Sequence, residues 1–113
     1  MADVPNPTHD VCHICGERAH GVGLQPDRRG EPIRWLCVSC SLLLEDIHRV
    51  KRMDAVQRKA REGGMVAAGA IIEAYGTDLG EYTEDQALEL VGACWKGTAD
   101  RIREIIRNGE APF

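Results

Sequence analysis

Four cysteines are spaced to act on one ion. Cys12-His13-Ile14-Cys15 and Cys37-Val38-Ser39-Cys40 each hold two thiols two residues apart, and 21 residues separate the pairs. A C-x-x-C turn lets two thiolates reach one metal, and two such turns complete the sulfur tetrahedron that Zn²⁺ prefers. Gly16 follows the first pair, where the backbone must turn sharply beneath the metal. Four protein ligands leave no position for water or substrate. The expectation is therefore one structural Zn²⁺, not a catalytic one, and a protein that is not an enzyme. Iron in the same sulfur set stays open, because sulfur spacing alone does not exclude it. So does replacement of one Cys by His13, His9 or His20.

Other chemistry is poorly supported. A redox C-x-x-C pair belongs near a βαβ pattern, which is not visible here. The chain has no glycine-rich phosphate loop, and no carboxylate pair is framed for acid–base work. No small-molecule substrate is evident. His48 reads as a helix-face residue, and Cys94 as a small core residue on an apolar stripe.

Composition bounds the setting. At 113 residues the chain is a single small domain or slightly more, for which a metal staple is useful. Aromatic residues make up only 4%, so Trp35 and Trp95 stand out as core or half-core anchors. The N-terminus lacks the basic and apolar regions of a signal peptide, and no apolar run approaches the roughly 18 residues of a membrane span. The expected location is the cytoplasm, where thiols stay reduced and paired Cys bind metal in preference to forming disulfides. Residues 1–62 carry ten Lys/Arg against nine Asp/Glu, and residues 63–113 carry four against nine. No global basic surface advertises nucleic acid.

The elements that must position the cysteines follow in order. Residues 1–10 are Pro-rich and polar and read as a flexible lead-in. A knuckle at 12–16 leads to a β-hairpin over 17–36, with Val22 and Leu24 on one arm and Ile33, Trp35 and Leu36 on the other. The second Cys pair opens a long helix from Ser41 to a stop at Gly63-Gly64, with Leu43, Ile47, Val50 and Met53 as its apolar stripe. Its N-terminus suits thiolates, because free N–H groups favour negative charge there. Residues 65–75 are nearly uncharged and read as a buried helix. Thr83 and Gln86 form a capping box for a last helix over 84–107, ended by Asn108-Gly109. Its stripe is Ala87, Leu90, Val91, Cys94, Ile102, Ile105 and Ile106. The fold class is small α+β: a treble-clef-like zinc finger of knuckle, hairpin and long helix over 11–62, then a helical hairpin over 65–113 packed on it.

The one basic stretch, over 49–61, runs through Arg49, Lys51, Arg52, Arg58, Lys59 and Arg61. With Arg28, Arg29 and Arg34 on the hairpin it could contact nucleic acid or an acidic partner. A solvated helix face complementing the helix dipole is the simpler account of the helical part.

Cys12-x-x-Cys15-Gly16, Gly21-Val22-Gly23-Leu24, Trp35-Leu36-Cys37, Gly64-Met65, Tyr75-Gly76-Thr77 and the Pro112-Phe113 tail resemble a family of small proteins from proteobacteria, phages and prophages, a domain of unknown function. The resemblance implies a phage or prophage setting, and hence a bacterial host cytoplasm, and supplies no activity. Residues 12–50 are also laid out like the N-terminal zinc-binding domain of the ClpX unfoldase, a dimeric docking module. That similarity is at the level of fold. The reading is a non-enzymatic structural-zinc protein that docks another protein or itself, with a zinc-finger nucleic-acid regulator as the alternative.

Overall fold

The computed structural model describes residues 10–24, 29–30 and 32–110. The lead-in before Asp10, His9, Arg28 with most of the polar connection after Leu24, and the Pro112-Phe113 tail lie outside them. The protein is a small α+β structure measuring 51 × 28 × 27 Å. Strands β1 (Val22–Leu24) and β2 (Arg34–Leu36) form an antiparallel pair in which Val22 faces Leu36 and Leu24 faces Arg34. The strands are short, as the flanking glycines imply. Helices α1 (Val38–Ser41), α2 (Leu44–His48), α3 (Met53–Lys59), α4 (Arg61–Tyr75) and α5 (Glu84–Arg107) follow, with a 3₁₀ turn at Leu79–Glu81.

The long helix expected from Ser41 to Gly63-Gly64 is instead broken into α1, α2 and α3. Ile47 and Val56 are both buried, and they lie nine residues apart. At about 3.6 residues per turn that is two and a half turns, so a straight helix would point them in opposite directions. The break over 49–52 lets both reach one core. α3 then runs almost directly into α4 through Ala60, which is buried and in the right-handed helical region.

Gly63-Gly64 does not stop a helix either. Both lie in the first turn of α4, where it crosses α5 at backbone contact. A Cβ on Gly63 would meet the Gly97 carbonyl oxygen at 2.5 Å, and one on Gly64 the Cys94 oxygen at 2.7 Å. Close packing overrides the poor helix propensity of glycine. α4 ends at Gly76, with φ +96°.

α5 has the bounds the sequence implies. The Gln86 N–H donates to Thr83 Oγ1 at 3.1 Å, and the Thr83 N–H donates to Gln86 Oε1 at 3.0 Å. α4 and α5 run antiparallel, and at their far end the Tyr75 hydroxyl donates to Glu89 at 2.8 Å.

One core joins the cysteines to the helices. It contains Cys12, Ile14, Cys15, Leu24, Leu36, Cys37, Cys40, Leu43, Ile47, Val56 and Ala60, with Ala99, Ile102, Ile105 and Ile106 from the lower half of α5. The upper half of the hairpin departs from expectation. Residues 65–75 are not a buried helix: Met65 and Val66 are exposed, as are Leu88 and Val91 on α5. Among the described residues α5 covers one side of α4 there, and no further layer covers the rest. Trp95 is likewise more than half exposed, and Cys94 is half-buried.

The two kinds of helical glycine should respond oppositely to alanine. Gly64→Ala forces a methyl into the crossing and is expected to cost about 1–3 kcal/mol. Gly92→Ala meets nothing within 4 Å and should stabilise α5 by about 0.5–1 kcal/mol. Thermal melts of the two variants check this.

Candidate metal centre

The first Cys turn is built by the backbone. Val11 and Arg18 form an isolated antiparallel bridge. The Cys12 N–H donates to Glu17 O at 2.6 Å, and the Gly16 N–H to Cys12 O at 3.0 Å. Gly16 has φ +81°, which only glycine adopts cheaply, so the sharp turn expected after Cys15 is present. The knuckle is tied to β2 by His13 N–H to Trp35 O, 2.8 Å, and His20 N–H to Leu36 O, 3.0 Å. The second turn starts a helix, as its sequence implies. Cys37 is the N-cap of α1, and its Sγ accepts from the Cys40 N–H at 3.4 Å.

The four cysteines converge and are all buried. Their sulfurs lie within 4.8 Å of one another, and Cys15 Sγ is 3.7 Å from Cys37 Sγ. Metal–sulfur bonds of about 2.3 Å give a tetrahedron with edges of about 3.8 Å, so the cluster could bind one ion. A disulfide needs about 2.05 Å. Among the described residues the metal-capable cluster consists of these four cysteines, with no His in it.

The thiols conflict electrostatically without a cation. Hydrogen bonds from Cys15 and Cys40 push Cys12 well below the usual thiol range. Cys15, which shares its proton with Cys12, is pushed up to about 12. Cys40 is raised by its hydrogen bonds to Cys12 and Cys15 and by burial. One thiolate thus makes its neighbours keep their protons, because like charges in a small volume repel. A divalent cation removes the conflict and displaces the protons.

Three helical side chains grip this centre from outside. Gln57 of α3 donates to the Ile14 carbonyl at 2.7 Å. The indole N–H of Trp95 donates to the Cys15 carbonyl at 3.3 Å, and its ring lies against Gly16, 3.6 Å from where a Cβ would sit. Arg103 stands behind the cluster, 3.7 Å from Cys40 Sγ, with Asp100 at 2.7 Å and Glu17 at 3.5 Å. Burial would lower the pKa of Arg103, but the bonds to Cys40 and Asp100 outweigh it and raise the value, so the cation stays fully charged beside the sulfurs. Sequence reasoning missed Gln57 and Arg103. The available signal for Arg103 was a charge placed among Ile102, Ile105 and Ile106.

Of the described basic candidates Arg58 borders this site, and the others are dispersed. Arg29 is exposed near the hairpin turn and Arg34 is half-buried in β2. Arg49 pairs with Asp46 at 3.4 Å and Arg52 with Asp54 at 3.1 Å. Lys51 falls in the helix break, and Lys59 is exposed at the end of α3. Arg58 lines a groove with the knuckle and Trp95, whereas Arg49 lines a different one with Asn108 and Gly109.

Two consequences can be measured. Because Cys15 and Cys40 hold protons without metal, binding should release them, and affinity should rise with pH, roughly tenfold per unit for each proton displaced. Titrations in buffers of differing ionisation enthalpy would count the protons. Replacing Arg103 with methionine strips a buried cation from Cys40, Asp100 and Glu17. The variant should lose about 2 kcal/mol in denaturant unfolding.

No curated protein and no solved structure shows a significant match to this chain. The sequence profile of a family of unknown function, DUF6511, does match, over residues 51–113. The match contains Gln57, Trp95 and Arg103 and begins after both Cys turns. It spans more than half of the 113 residues, and the chain belongs to this family.

Proposed function

We propose that the protein is a non-enzymatic zinc protein whose Cys12, Cys15, Cys37 and Cys40 hold one structural Zn²⁺, and that the clamped helices form a protein-docking module. The observation carrying this reading is the closure of the site: four buried sulfurs within 4.8 Å of one another, contributed in pairs by two tight turns. Such a set leaves no open position for Lewis-acid chemistry. Zinc is favoured over iron because it is the usual occupant of a closed structural Cys₄ site. Knuckle, hairpin and a second Cys turn at a helix start support a treble-clef-like layout, although the helical part is segmented. The layout likeness to the zinc domain of ClpX agrees with a docking role at the level of fold.

Docking is supported by the exposed apolar side chains of the α4–α5 hairpin, since contiguous exposed apolar surface on a small protein usually marks an interface. Resemblance to small phage and prophage proteins supports a phage-related setting and action in the bacterial cytoplasm. No helix among the described residues is long and apolar enough to cross a membrane. Nothing at the dispersed cations favours the nucleic-acid reading.

The test joins metal content to contact. The purified full chain should carry one zinc per molecule and unfold when a strong chelator removes it. Binding to a structural site contributes about 10–16 kcal/mol, comparable to the whole stability of a small domain. A photo-crosslinking residue at Val91 should give a discrete adduct in bacterial cells. A metal-free folded protein would sink the clamp, and absence of any adduct would sink the docking role.

A further inference from the structure

Arg61, Met65, Ala68 and Ile72 recur on α4 at spacings of four, three and four residues. Glu84, Leu88, Val91 and Trp95 repeat the same spacing on α5. Each set therefore lies along one helix face. The two faces turn to the same side of the antiparallel hairpin, because Arg61 from α4 and Val91 and Trp95 from α5 line one groove of about 700 Å³ beside the knuckle. Exposure is high along it: 71% for Met65, 62% for Leu88, 59% for Val91 and 54% for Trp95.

The ends of this face carry opposite charge. Near the knuckle, Arg58 and Arg61 border the groove together with Asp54, whose carboxylate is paired with Arg52 at 3.1 Å, so this end is net cationic. At the far tip, residues 73–89 hold Glu73, Asp78, Glu81, Glu84, Asp85 and Glu89 and no Lys or Arg. The basic end lies one helical turn below Met65, and Glu84 lies one turn above Leu88.

We propose that this face pairs with the same face of a second copy, the two hairpins lying antiparallel. A two-fold interface must be self-complementary: whatever one end offers, the other must accept. A face that is cationic at one end, apolar in the middle and acidic at the other meets that demand only when the copies run in opposite directions. The antiparallel register places Met65 near the partner's Ile72 and Trp95 near the partner's Leu88, with Val91 close to the two-fold axis. It brings each acidic tip to the other copy's Arg58 and Arg61. Parallel pairing would set tip on tip, six carboxylates against six. The proposal rests on reading the hairpin as an interaction surface and names its partner.

Two opposite charge reversals test it in the full-length, zinc-loaded chain. One variant carries Arg58→Glu and Arg61→Glu, the other Glu73→Lys, Glu81→Lys, Glu84→Lys and Asp85→Lys, which leaves its tip with a net positive charge. Sedimentation equilibrium should show a dimer for the unaltered chain and at least about tenfold weaker self-association for each variant alone. An equimolar mixture of the two variants should recover the dimer, because every tip then meets a rim of opposite sign. Unaltered zinc content and helical circular dichroism confirm that each variant is folded. A monomeric parent chain overturns the proposal. So does a dimer indifferent to both reversals, or a mixture that stays monomeric. A monomer that still gave Val91 adducts with another protein would overturn self-pairing while leaving the docking role standing.

Discussion

Four thiols held within 4.8 Å of one another are the constraint on which the rest of the structure depends. Thiolates at that distance repel, and burial makes the repulsion worse. The cluster resolves the conflict either by keeping protons, as Cys15 and Cys40 do, or by sharing a cation. The same four side chains belong to the single apolar core, alongside Ile14, Leu36 and Ile47. An ion bound there would couple metal binding to core formation, and the short strands and four- and five-residue helices around the site have few other contacts of their own to hold them.

The helices complete what the turns begin. Gln57 and Trp95 take up the backbone carbonyls of Ile14 and Cys15, which the knuckle leaves unpaired within itself. Arg103 brings a permanent positive charge to the far side, offsetting part of the negative charge that four sulfurs keep even around a divalent ion. These three residues lie within the stretch shared with the family, while the cysteines precede it. The helical scaffold and the Cys turns are therefore separable in sequence and interlocked in space.

The lower half of α5 is core and the upper half is surface. Ala99, Ile102, Ile105 and Ile106 are buried, whereas Leu88, Val91 and Trp95 continue along a neighbouring part of the helix into solvent. The backbone contact at Gly63, Gly64 and Gly97 draws α4 close enough to cover one side of α5 and leaves the other free. Apolar side chains are buried in the half of α5 beside the cysteines and exposed in the half beyond them.

The local features were legible because they need only neighbouring residues. Cys spacing, the Gly16 turn, the hairpin arms, the Thr83–Gln86 box and the bounds of α5 each depend on a few adjacent positions, and the structure has them all. What tertiary structure alone decided concerns direction and proximity. Nothing local in Arg49-Val50-Lys51-Arg52 announces a break; the break arises because Ile47 and Val56 must face one core from opposite sides of a helix. Gly63-Gly64 looked like a stop because glycine is a poor helix former, yet it is the notch that lets two backbones touch. Residues 65–75 are apolar enough to be buried, but burial requires a covering partner, which local sequence cannot supply. Arg103 is a surface residue by type and an interior one by position, because the cysteines 63 or more residues before it in the chain come to lie beside it.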